Sequence, residues 1–224
     1  MKIGISAGHQ NIKDNCNLNL RGGTGAPGEA DWTPKMRDAL AGKLIARSFQ
    51  VILFDANANC QQEAYQDFDL FLAIHYDADI YGVGGGLAGA PSPEEDAVNA
   101  RSQELAKKIN EVYFPLTGIA YHPERINANI THYYLWSSLT AKTPCVLIEC
   151  GTNNRDNLPN RVDECSTALA KAICAAFGIP YDAPQPSSDD LTTLQRLVSE
   201  AKRILYGKGW PWSKISQLKQ LLPK

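Results

Sequence analysis

Long apolar runs, an excess of basic residues and paired-cysteine spacing are all missing from this 224-residue sequence. No stretch approaches the roughly 18 uninterrupted apolar residues of a membrane-spanning helix, so no membrane span is expected. Lys and Arg number 22 against 24 Asp and Glu, a formal charge of −2. So balanced a surface offers no cationic stripe for phosphates, which argues against a nucleic-acid partner. The opening MKIGISAGHQ breaks its apolar run at glycine and histidine, too early for the core of a secretory signal, so cytoplasmic synthesis is expected. The six cysteines show no CxxC spacing, and several fall in apolar patterns where a reduced cysteine packs as a small hydrophobe. No structural disulfide is expected in a reducing compartment. The glycine-rich stretch Gly22–Gly28 is followed by no GKS or GKT, so it does not read as a phosphate loop.

What is present is alternation. Four short continuous apolar runs, Lys2–Ala7, Gln50–Phe54, Leu70–Ile74 and Cys145–Ile148, read as buried parallel strands. Helical patterns separate them. Met36, Leu40 and Leu44 recur every fourth residue behind Thr33-Pro34, which reads as an N-cap and first helical position. Ser92-Pro93-Glu94-Glu95 resembles a capping box before Val98, Leu105, Ile109 and Val112. A third helix is expected from about Arg161 to Phe177, stopping at Gly178. The pattern predicts an α/β fold: an open, mostly parallel twisted sheet with helices on both faces. Pro180–Ser188 carries three prolines in nine residues and reads as an extended linker. The expected organisation is a catalytic domain over 1–179, the linker over 180–188, and a small helical region over 189–224. That region has too few residues for much core of its own, so it is expected to pack on the main domain, on its copy in a homodimer, or on a ligand.

Histidine is scarce, with four in the chain, and two of them close strands. In open α/β sheets ligands bind beyond the carboxyl ends of the strands, so the residue after each apolar run matters most. The first strand runs into Gly8-His9, the third into His75, and the last into Glu149. Two histidines with carboxylates suit a catalytic zinc, which takes nitrogen and oxygen ligands and keeps one position open. Glu29, delivered by the glycine-rich segment, is a candidate third ligand, though a first-turn glutamate favoured by the helix dipole is the more ordinary reading of that residue on its own. A glutamate closing a buried strand is costly to desolvate, which marks Glu149 as functional. His132, in the alternating stretch Thr131–Trp136, reads as part of a groove wall with a substrate-contact role. Asp77 is a second candidate for substrate contact or for orienting a ligand histidine. His122, before Pro123, reads as a solvated loop residue.

The chain resembles the zinc N-acetylmuramoyl-L-alanine amidases of the sporulation-amidase and phage-endolysin type. ISAGH at Ile5–His9, GTGAPGE at Gly23–Glu29, FLAIHYDA at Phe71–Ala78 and VLIECGTNN at Val146–Asn154 carry the resemblance, which covers roughly residues 1–178. It implies His9, Glu29 and His75 as zinc ligands and Glu149 as the catalytic carboxylate. The implied substrate is bacterial peptidoglycan, cut between N-acetylmuramic acid and L-alanine. With no export signal expected, such an enzyme would reach the wall after a membrane breach such as holin action. A zinc peptidase of the peptide stem and a non-catalytic wall-binding protein with a structural metal are the alternatives.

Overall fold

The structure is a computed structural model that describes residues 1–10, 25–56, 66–78, 87–89, 97–126, 128–131, 133, 135–136, 139–140 and 142–182. Among the described residues, five strands form one sheet: β1 (Lys2–Ala7), β2 (Gln50–Phe54), β3 (Leu70–Asp77), β4 (Leu87–Gly89) and β5 (Cys145–Thr152). Their spatial order is β2-β1-β3-β5-β4. The first four neighbours in that order pair in parallel, and β4 closes the edge antiparallel to β5. The α/β architecture expected from the sequence is therefore present. β4 was not foreseen: three residues of Leu-Ala-Gly are too short to show a period.

The helices are α1 (Glu29–Ile45), α2 (Ala97–Thr117), the single turns α3 (Ala128–Thr131) and α4 (Asn153–Asp156), and α5 (Val162–Ala176). Side chains of a strand alternate between its faces, so each face has its own core. On one face Ile3, Ile5, Leu72, Ile74, Val146 and Ile148 pack with Trp32, Met36, Leu40 and Leu44 of α1, with Leu105 and Ile109 of α2, and with Leu169 and Ile173 of α5. The three long helices share this face, and burying a side chain such as Leu40 there is worth about 2 kcal/mol. Among the described residues, the opposite face carries fewer packed side chains. Phe54, Phe68 and Phe71 meet Leu135, while Ala73 and Leu147 meet Ile130 of α3.

Helix α1 starts four residues before the expected cap. Gly28 takes the N-cap position at φ 84°, and Pro34 lies inside the helix. Thr33 does not cap; its buried hydroxyl donates to the carbonyl of Gly8 at 2.6 Å, which ties α1 to the end of β1. Both site strands also run further than their apolar cores suggest, β3 to Asp77 and β5 to Thr152. Pairing to neighbouring strands continues through the polar residues because their backbone groups still need partners. Four cysteines, Cys145, Cys150, Cys165 and Cys174, are buried free thiols, and burial pushes the Cys145 thiol up to about 12. The first compact unit is Met1–Tyr181. The expected linker from residue 183 onward, the C-terminal helices, and the capping box at 92–95 lie outside the described residues. No helix among the described residues is long and apolar enough to cross a membrane.

Candidate metal centre

The site is built on this opposite face of the sheet. Ala73 and Leu147 point to that face, and two residues further along each strand come His75 and Glu149. Parallel register places His75 directly opposite Glu149, and the ladder slips between His75 and Asp77. His9 reaches the same edge differently. Its backbone adopts a left-handed φ of 59°, which breaks the alternation of β1 and turns the side chain away from the strand's path.

Glu29 opens α1 and is only 2% exposed, so its carboxylate must be compensated by partners. It has them. Oε2 accepts the Ala26 N–H at 2.8 Å, and Oε1 accepts the Tyr76 N–H at 3.1 Å. Oε1 lies 3.0 Å from Nδ1 of His75, and Oε2 lies 3.5 Å from Nε2 of His9. The loop carrying Glu29 is clamped at one carbonyl, that of Pro27, which accepts from the Tyr76 hydroxyl at 2.6 Å and from the Asn153 amide at 2.7 Å. Two glycines make room for the cluster. A Cβ on Gly25, whose φ is 72°, would run into Glu29 and the His9 ring, and one on Gly8 would run into the His75 ring.

The donor atoms of His9, Glu29 and His75 all lie within 4.8 Å of one another. Ligands about 2.0–2.1 Å from a tetrahedral ion stand about 3.3 Å apart, close to the 3.0 and 3.5 Å separations from Glu29. Glu149 adds a second observation: its Oε2 is sealed from solvent and makes no hydrogen bond. A buried carboxylate oxygen without a partner is costly unless something absent from the polypeptide faces it. The residues therefore fit a divalent cation with one open position.

Electrostatics report the same crowding. Burial, together with the charges of Glu29 and Asp77, pushes the Glu149 carboxyl up to about 8, against the opposing pull of His75 and Arg125. Burial disfavours a charged His75, but its hydrogen bond to Glu29 and the charges of Glu149 and Glu29 outweigh that and raise its pKa.

His9, Glu29, His75 and Glu149 thus meet at one sheet edge. Asp77 sits at the end of β3, paired with Arg125 at 2.6 Å and accepting the Ala78 N–H at 2.7 Å. His132 lies outside the described residues. His122 pairs with Glu124 at 2.8 Å, away from the cluster's hydrogen bonds. Sequence reasoning overlooked Tyr133, whose hydroxyl lies 3.1 Å from Nε2 of His75, and Arg125. Tyr133 belongs to the alternating stretch read as a groove wall, and that alternation was the available signal.

Two histidines and two carboxylates gathered at the carboxyl ends of an open α/β sheet are a donor set that can support metal-assisted hydrolysis. A family model described as N-acetylmuramoyl-L-alanine amidase matches residues 3–178. The chain belongs to that family and is an amidase. Solved structures share its fold. Ami1 from Mycobacterium smegmatis is 16% identical with a TM-score of 0.58, covering 80% of this chain and 97% of that one. The CwlD amidase from Clostridioides difficile, solved in complex with the GerS lipoprotein, is 18% identical with a TM-score of 0.57 over 79% and 98% of the two chains. The catalytic domain of the CD27L endolysin targeting Clostridia difficile is 16% identical with a TM-score of 0.51 over 78% and 97%. No curated sequence matches the chain closely enough to stand as a relative.

Proposed function

We propose that the chain hydrolyses the amide between N-acetylmuramic acid and L-alanine in peptidoglycan, with zinc held by His9, Glu29 and His75 and with Glu149 as the proton carrier. The observation that carries this reading is the sealed, unpartnered Oε2 of Glu149 beside the three-residue cluster. Zinc supplies Lewis-acid chemistry, acidifying a water and polarising the scissile carbonyl. Glu149, ionised when a cation offsets its neighbours, accepts the proton of the attacking water and returns it to the nitrogen of the departing alanine. Its place within β5 keeps that carboxylate rigid. Glu29, anchored by two backbone N–H groups, holds its position without rearrangement. Asp77, at the end of β3, is assigned to substrate contact, and the same role expected of His132 falls on a residue outside the described ones.

Family membership favours the muramoyl–alanine amide over the stem-peptide and non-catalytic alternatives. The likeness to an endolysin catalytic domain supports a lytic role, in which the enzyme is made in the cytoplasm and acts on the wall once the membrane is breached. Self-association through residues 189–224 is not carried into this reading. The test is mass spectrometry of digested peptidoglycan combined with metal analysis. Free muramic-acid-linked glycan and intact stem peptides are expected, with zinc retained by the wild type and lost from His9→Ala, Glu29→Ala and His75→Ala. Release of free amino acids, or zinc content unaffected by those changes, would overturn it.

A further inference from the structure

His75 is held at both ring nitrogens. Nδ1 lies 3.0 Å from Glu29, on the side of the cluster, and Nε2 lies 3.1 Å from the hydroxyl of Tyr133. The Tyr133 ring meets the imidazole edge to face, with centroids 5.5 Å apart at 85°. Gly8 brings backbone against the ring, at a distance no side chain would allow. The tyrosine is itself fixed. Its carbonyl accepts the Trp136 N–H at 2.9 Å, its ring meets Trp136 edge to face at 5.2 Å, and the Trp136 indole donates to the Ile130 carbonyl at 2.9 Å. Both rings pack on the apolar clusters of that same face of the sheet.

We propose that Tyr133 is a positioning residue for the metal ligand His75. A neutral imidazole that ligates through one nitrogen carries its proton on the other, and the partner of that proton fixes tautomer and ring orientation. With Nδ1 turned to the cluster, Nε2 carries the proton and donates it to the phenol oxygen. A phenol serves this role without adding charge, unlike the carboxylate often found behind a ligand histidine. Tyr133, in the stretch read from the sequence as a groove wall, thereby acquires a second duty: it sets the metal's affinity from behind the ligand.

The proposal rests on the zinc reading above, and the experiment separates the two. Zinc affinity is measured by chelator competition on the full-length wild type and on Tyr133→Phe, with thermal unfolding of both metal-free proteins as the packing control. Phenylalanine keeps the ring contacts and removes only the hydroxyl. Affinity is expected to fall about ten- to a hundredfold while metal-free unfolding stays unchanged. In the zinc-loaded wild type, nitrogen-resolved NMR is expected to show a slowly exchanging His75 Nε2 proton that the variant loses. If the wild type itself takes up no zinc, the zinc reading falls and this proposal with it. If the wild type binds and Tyr133→Phe binds within about twofold, the Tyr133 proposal alone falls. Should the variant's metal-free form melt lower, the NMR signal decides: its persistence without the hydroxyl overturns the proposal.

Discussion

His75 and Glu149 are directly registered partners on adjacent parallel strands, one offering a ring nitrogen to the cluster and the other a carboxylate oxygen with no partner. The backbone ladder fixes the spacing between imidazole and carboxylate, so neither can drift without breaking sheet hydrogen bonds. Replacing Glu149 by Gln keeps the side chain's shape and removes its basicity. The expected outcome is a fall in kcat of about 10²- to 10⁴-fold with metal content unchanged, read by turnover of a soluble muramoyl-peptide and by metal analysis. Turnover within a few-fold of wild type would remove Glu149 from the mechanism.

The same pair sets how the metal-free protein responds to pH. Glu149 rises from its ordinary 4.5 to about 8, so between those values the folded state binds more protons than the unfolded state and stability falls as pH rises. His75 is also raised, so its contribution is complete below its ordinary 6.5 and is lost as pH rises through the higher folded value. Both groups act in one direction. Urea unfolding of the metal-free protein should give a free energy lower at pH 8 than at pH 5 by on the order of 2 kcal/mol, and Glu149→Gln should flatten the difference. Added zinc should reverse the trend, because its ligands bind best deprotonated. A metal-free stability that climbs from pH 5 to 8 would contradict the assignment.

Gly8 is where the fold makes room for the His75 ring. A methyl group there would strike the His75 ring, so Gly8→Ala should displace the ring from Glu29 and Tyr133. Overpacking of this kind costs about 1–3 kcal/mol. Unfolding should show that loss, accompanied by weaker zinc binding. Gly42, where a Cβ meets nothing within 4 Å, is the control: Gly42→Ala lies in helix α1 and should stabilise by about 0.5–1 kcal/mol.

How far the sequence showed this site depends on the residue. His9, His75 and Glu149 were legible because continuous apolar runs mark buried strands, and a polar residue closing such a run stands out. Glu29 was only half legible. Its local pattern is also that of an ordinary first-turn glutamate, and what distinguishes it, two backbone N–H donors and near-complete burial, depends on how the glycine-rich segment folds back. Tyr133 and Arg125 act across distances in sequence that no local period encodes: 58 residues separate Tyr133 from His75. The start of α1 was misplaced for a different reason. Thr33-Pro34 has the chemistry of a cap, whose side-chain oxygen would accept a helix N–H, but the helix begins earlier and the Thr33 hydroxyl donates to the Gly8 carbonyl across the fold.

The end of the catalytic unit can be placed by a contact the sequence did not reveal. The Arg47 guanidinium lies 3.4 Å above the Tyr181 ring, and its Nε donates to the Tyr181 carbonyl at 3.1 Å. Lys171 approaches the same ring at 5.4 Å. The chain is therefore pinned to α1 and α5 three residues beyond Gly178, where the third helical pattern stops. A truncation after Asp182 should keep zinc, fold and turnover of soluble muramoyl-peptides. One after Gly178 strips the cation–π contact and its hydrogen bond, and should unfold with about 1–2 kcal/mol less stability at equal zinc occupancy. If both truncations retain soluble turnover but lose activity on intact walls, the C-terminal region serves attachment. If the first loses zinc, the hydrolytic centre depends on residues beyond Asp182 and the division of labour between the two parts is wrong.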